Sequence, residues 1–143
     1  MENKISFFST NDFSLKNEIL YKNSLQKVIE SEGFQLENLT YIFCSDEYLL
    51  EINQNFLNHD TYTDIITFDY SEGKIISAEI YISTERVHEN ANTYEVDFEQ
   101  ELKRVIVHGV LHCCGYRDKT EAEKNLMKGK ENEKIKLFHV EQN

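Results

Sequence analysis

His108, Gly109, Val110, Leu111, His112, Cys113, Cys114, Gly115, Tyr116, Arg117 and Asp118, read as HGVLHCCGYRD, are the residues on which the reading of this chain turns. A helical turn takes about 3.6 residues, so His108 and His112 lie one above the other on a single helix face. Gly115 is able to take the left-handed conformation that ends a helix, and the chain then turns back to bring Asp118 to the same point. Two imidazoles and one carboxylate leave a fourth position open on zinc, the arrangement of a catalytic rather than a structural site. The residues therefore predict one zinc ion per chain, held by His108, His112 and Asp118, and metal-assisted hydrolysis.

Outward from the motif, Phe98, Leu102, Val105, Ile106, Gly109 and Cys113 form an apolar helical stripe with the two histidines along its edge. Ligands at the rim of a core stripe suit a cleft. Asp97 with Gln100, and Thr120 with Glu123, have the spacing that opens helices on either side of the glycine. Upstream, the pattern predicts a strand over 3–8 and a helix over 14–32 that gathers Leu15, Ile19, Tyr21, Leu25, Val28 and Ile29 on one side and stops at Gly33. It then predicts a strand from Leu39 to Cys44 and a helix capped by Ser45 or Asp46 that runs to about Asn58. Ile66, Phe68 and Tyr70, then Ile76, Ala78, Ile80 and Ile82, alternate with polar residues around a turn at 71–74, which reads as a hairpin. A short helix over 84–93 precedes the motif helix. The order βαβαββααα implies an α+β fold: a small mixed β-sheet packed with helices, carrying a zincin-like metal site on a helix followed by a Gly turn.

The 143 residues, 40% of them hydrophobic, are read as a single metal-dependent hydrolase domain spanning 1–143. No repeat, low-complexity linker or proline marks a boundary. Only the run Ile5 to Phe8 is apolar near the N-terminus, so neither a signal peptide nor a membrane span is expected and the cytoplasm is the expected location. Three cysteines without a disulfide framework fit a reducing compartment. They are read as small buried hydrophobes, with Cys113 or Cys114 as lesser candidates for the metal because both lie off the histidine face. A net charge of −11 argues against a free-standing non-specific nucleic-acid binder. The charge is uneven, however: residues 1–100 hold 6 Lys/Arg against 19 Asp/Glu, and residues 101–143 hold 9 against 7. The basic residues gather around the motif, where they face an anionic substrate or form a solvated helix surface.

HGVLHCCGYRD resembles the HGxLHLxGYDH signature of the YbeY endoribonuclease family, bacterial rRNA maturation factors. Asn53, Phe56, Thr63, Asp64, Ile65, Ile66, Thr67 and Phe68 resemble that family's NxxYRxxxxPTDVLSF segment, and Ala78, Glu79 and Ile80 stand where it usually reads GDI. The resemblance implies a cytoplasmic, zinc-dependent, single-strand-specific endoribonuclease that acts in 16S rRNA 3′-end maturation and ribosome quality control. Its implied partners are rRNA and the small ribosomal subunit, with a ribosome-associated protein as a further candidate and no membrane. By position the ligands are again His108, His112 and Asp118, and Glu79 is a second-shell candidate. Two departures stand out. Asp118 replaces the family's third histidine, which lowers the ion's net charge and weakens it as a Lewis acid. Leu57 replaces an arginine, which removes one phosphate contact. His59, Arg117 and Lys119 are candidate RNA contacts in its stead. Glu101 lies two turns before His108, about 10 Å along the axis, beyond direct reach of the ion.

Two rival readings remain at this level. A zinc peptidase would share the HxxxHxxGxxD spacing, but Gly109 stands where the catalytic glutamate of such enzymes belongs. A non-catalytic ribosome assembly factor with a structural metal would suit Leu57 and the acidic composition.

Overall fold

The structure is a computed structural model that describes residues 4–57 and 63–138. Its elements are β1 (Ile5–Ser9), α1 (Glu18–Ser31), β2 (Gln35–Cys44), α2 (Asp46–Leu57), β3 (Ile65–Asp69), β4 (Ile75–Ser83), α3 (Thr84–Tyr94), α4 (Phe98–Cys113) and α5 (Glu121–Ile135), followed by a 3-10 turn at Lys136–Phe138. The order is the one expected, and the sheet is mixed. Its strands run β1-β2-β4-β3, with β1 parallel to β2, β2 parallel to β4, and β3 antiparallel to β4.

Alternation along the strands divides the sheet into two unlike faces. Ile5, Leu39, Tyr41, Phe43, Ile76, Ala78, Ile80 and Ile82 enter the main core together with Leu25, Val28 and Ile29 of α1 and Leu102, Ile106 and Val110 of α4. The buried Tyr41 hydroxyl donates to the carbonyl of Ile106 at 2.8 Å, tying the sheet to the middle of α4. On the opposite face α2 covers a smaller cluster of Cys44, Leu49, Ile52 and Ile66. The closest approach of helix to sheet is at Gly109. A Cβ there would lie 2.9 Å from Ile80 Cδ1 and 3.1 Å from Ile65 Cδ1, so glycine is what lets α4 settle onto β3 and β4.

Two boundaries differ from the sequence reading, each for a local reason. α1 starts at Glu18 rather than residue 14, because Asn17 sits in the left-handed region (φ 62°) and breaks the helical path; Ile19, expected inside, is 74% exposed. β2 starts at Gln35 rather than Leu39, and an irregularity between Leu36 and Asn38 interrupts the alternation that would have revealed its first residues. Elsewhere the caps are those expected. Ser45 Oγ accepts from the Tyr48 amide, and the Asp97 side chain accepts from the Gln100 amide.

Candidate metal centre

The centre is made by the end of α4, the turn after it and the start of α5. α4 closes in a Schellman motif: the Tyr116 amide donates to the Leu111 carbonyl at 3.1 Å and the Gly115 amide to the His112 carbonyl at 3.0 Å. Gly115 takes φ 102°, a region L side chains rarely adopt, so the reversal depends on glycine. Six residues after Gly115 the chain re-enters a helix at Glu121. Thr120 and Glu123 form a complete capping box, with the Glu123 carboxylate also accepting from the Lys119 amide. Asp118 is held between these two fixed ends.

His108 Nε2 lies 3.3 Å from Asp118 Oδ2, and His112 Nε2 lies 3.4 Å from the same oxygen. A tetrahedral ion with metal–donor bonds of about 2.0–2.1 Å sets its donors about 3.3–3.4 Å apart, which both histidine–aspartate spacings match, and the three donor atoms all lie within 4.8 Å of one another. These three residues form the metal-competent cluster found among the described residues. Burial pushes the thiols of Cys44, Cys113 and Cys114 up to about 12, which leaves them poor thiolate ligands and consistent with packing roles.

Behind the donors stands a carboxylate that the sequence reading did not single out. Glu131, on α5, places Oε2 2.6 Å from His108 Nδ1 and accepts from Arg104 Nη1 at Oε1, 2.9 Å away. With Nδ1 engaged, Nε2 is the nitrogen presented to the ion. In the metal-free protein, burial alone would lower the His108 pKa, but the Glu131 hydrogen bond and charge outweigh it, and with Asp118 and Asp64 raise it above 6.5. Glu79 does not share this position. It pairs with Thr40 and Phe68 on the sheet face opposite Ile80, whereas Ile80 is the residue that meets Gly109 of α4. Strand alternation therefore turns Glu79 away from the donors, and Glu131 supports the histidine instead.

The donors open onto a cleft of about 690 Å³ lined by β3 and the segment before it, by Asn53 of α2 and by Lys119. Asp64 is part of this wall; burial raises its carboxyl above the usual range, and Asn90 Nδ2 donates to it at 3.4 Å. Glu101, also raised by burial, reaches a smaller adjoining cavity lined by His108, Asp118, Asp64 and Glu131. Of the candidate RNA contacts, Lys119 is exposed at the cleft and Arg117 is exposed on the turn, while His59 and the Leu57 side chain lie outside the described residues. Among the described residues, no helix is long and apolar enough to cross a membrane.

A mixed α+β sheet under a helix that ends in a glycine turn, with two histidines and an aspartate converging at that end, defines a small protein of zincin-like site geometry. The family model described as Endoribonuclease YbeY matches residues 3–139, and the chain belongs to that family. It is 57% identical over 139 residues to a Christiangramia forsetii protein named Endoribonuclease YbeY, covering 97% of each. A Flavobacterium psychrophilum protein of the same name is 58% identical over 139 residues, covering 97% of this chain and 99% of the relative. Among solved structures, the solution structure of TM1509 from Thermotoga maritima aligns with a TM-score of 0.65 at 28% identity, covering 94% of this chain and 88% of that one.

Proposed function

We propose that this protein is a metal-dependent endoribonuclease that cuts single-stranded RNA and acts in 16S rRNA 3′-end maturation and ribosome quality control. The observation that carries this reading is the convergence of the His108, His112 and Asp118 donor atoms within 4.8 Å of one another at an open cleft. The shared name of the relatives supports the reaction class. The proposed cofactor is one zinc ion per chain, which when bound supplies Lewis acidity toward a phosphoryl oxygen and an activated water at neutral pH.

The chain's own groups have separable tasks. His108 and His112 present Nε2, Asp118 presents Oδ2, and Glu131 holds the His108 ring so that Nε2 stays free for the ion. Asp64, whose carboxyl burial raises above the usual carboxylate range, lines the same cleft as the donors and receives a hydrogen bond from Asn90. Lys119, and Arg117 on the turn above, supply positive charge toward the phosphate, the part taken in the family by the arginine that Leu57 replaces. In RNA the substrate's own 2′-hydroxyl is available as an internal nucleophile in place of the activated water, and by that route no protein base need sit next to an attacking water. Gly109 counts against a peptidase on geometry as well as chemistry, because that position faces Ile80 and Ile65 of the sheet rather than the cleft.

The proposed partners are rRNA and the small ribosomal subunit, with a ribosome-associated protein supplying affinity that an acidic body lacks for free RNA, and the proposed location is the cytoplasm. Metal content by mass spectrometry, paired with cleavage of a single-stranded rRNA 3′-end fragment by the parent and Asp118→Ala, tests the reading. About one zinc per chain, with metal and cleavage both lost in Asp118→Ala, is expected. Bound metal without cleavage would instead favour a non-catalytic assembly factor, the reading that Leu57 supports. A parent that binds no metal would remove the basis of both.

A further inference from the structure

The metal ligands lie where two arms of unlike chemistry meet, since His108 and Asp118 line both. The first arm, along β3, carries Asp64 and Asp69 against one cation, Lys119. The second, about 530 Å³, runs between the end of α3 and α5 and combines Tyr94, Val96 and Met127 with Lys124 and Lys128. Arg104 also lines it, but its guanidinium is committed to Glu131 and Asn132. Lys124 and Lys128 are different: both are exposed, and among the described residues neither side chain has a hydrogen bond or ion pair. Four residues apart on α5, they sit on successive turns and point two ammonium groups along one side of the groove. Tyr94, 62% exposed, stands at its rim, while Met127 is buried in its floor.

An aromatic ring with two free cations beside a phosphodiester-cleaving centre is the chemistry of a single-strand nucleotide subsite, a stacking surface for the base with charge for its phosphate. We infer that the α5 arm binds a nucleotide adjacent to the scissile phosphate, with its base on Tyr94 and Met127 and the flanking backbone phosphates on Lys124 and Lys128. This inference rests on the endoribonuclease reading. The β3 arm sets Asp64 and Asp69 against a single lysine, whereas the α5 arm's own acids, Glu101 and Glu131, are buried, Glu131 is paired with Arg104 and His108, and the arm's lysines are exposed.

The test uses the metal-loaded protein and a short fluorescent single-stranded 2′-O-methyl oligoribonucleotide, titrated across a range of salt, with cleavage of the unmodified RNA measured in parallel. Losing two phosphate contacts lowers the slope of log affinity against log salt by about 1.4 in Lys124→Ala/Lys128→Ala. Lys16→Ala/Lys27→Ala makes the same charge change outside the cleft and is the control whose slope matches the parent. Tyr94→Ala raises KM for cleavage about tenfold, and Tyr94→Phe restores it because the ring is what stacks. An equal loss in both lysine pairs would reduce the effect to net charge, and an unchanged slope in Lys124→Ala/Lys128→Ala would remove the subsite; either overturns the inference. Cleavage by the parent with no response to these variants sinks the subsite alone. Binding with the expected slope change but no cleavage sinks the endoribonuclease reading and leaves the subsite standing.

Discussion

Glu131 grips His108 from behind: its Oε2 lies 2.6 Å from the histidine Nδ1, while its Oε1 is held by Arg104 at 2.9 Å. Both oxygens are engaged and the side chain is 9% exposed, so the imidazole is oriented by a carboxylate that is itself fixed. Glu131→Gln keeps the shape but loses the charge. Because carboxylates behind a ligating histidine are worth about 10–100-fold in metal affinity, competition with a chromophoric chelator is expected to show a loss in that range. An unchanged affinity would mean that Glu131 serves packing alone.

The same contact gives the metal-free and metal-loaded forms opposite responses to pH. In the metal-free chain His108 has a pKa raised above 6.5, so folding favours its protonated form. The resulting stabilisation is complete below the unfolded value and is lost as pH rises through the folded one. The ion needs the deprotonated ring, so its affinity falls as pH drops through the same interval. Denaturant melts from pH 6 to pH 8.5 are expected to show His108 weakening the metal-free form and metal strengthening the loaded one. His108→Ala removes the contribution of this group to the first trend.

Gly115→Ala tests the turn without touching a ligand. At φ 102° an alanine is strained by about 1–3 kcal/mol, and the turn relieves that strain by relaxing. Relaxation moves Asp118 relative to the histidines. A fall in metal affinity of about tenfold, near 1.4 kcal/mol, is expected by isothermal titration, with little change in the far-ultraviolet circular dichroism spectrum.

Gly109→Val tests the seat of α4 on the sheet. A valine there meets Ile80 and Ile65, and overpacking of this kind costs about 1–3 kcal/mol, more than the helix-propensity gain from replacing glycine. Gly129→Ala is the matched control, since a Cβ there meets nothing within 4 Å, and it is expected to stabilise by up to about 1 kcal/mol. Thermal melts of the two variants are expected to move in opposite directions.

What could be read before folding follows from how local each feature is. His108, His112 and Asp118 were legible because helical spacing and one glycine turn bring them together with no help from the rest of the chain. Glu131 was not, because it lies 23 residues from His108 and meets it only after α5 packs back across α4. Glu79 was assigned by family position, yet the alternation that put Ile76, Ala78, Ile80 and Ile82 inside also implies that Glu79 faces the other way. The early start of β2 was hidden by the irregularity after Leu36, and the late start of α1 by a left-handed Asn17 whose conformation no periodicity reports. The two-armed cleft is a property of how three helices and β3 converge, and no window of sequence contains it.

α5 fully buries only Met127, Glu131 and Lys134, with Ile135 partly buried against the core, so few apolar contacts and a set of polar ties hold it down. Its far half is pinned by Lys134, whose ammonium reaches Glu32 at 2.9 Å and the Ser31 hydroxyl at 2.8 Å, and by Glu131, which holds His108 and Arg104, while its near end is closed by the Thr120–Glu123 capping box. Such a helix behaves as a latch with its own opening equilibrium, separate from unfolding of the sheet. Amide hydrogen exchange should therefore find α5 releasing its protons well before β2 and β4 in metal-free protein, and metal should slow that release selectively. The ion would then do more than chemistry: it would govern how long the wall of the cleft stays shut.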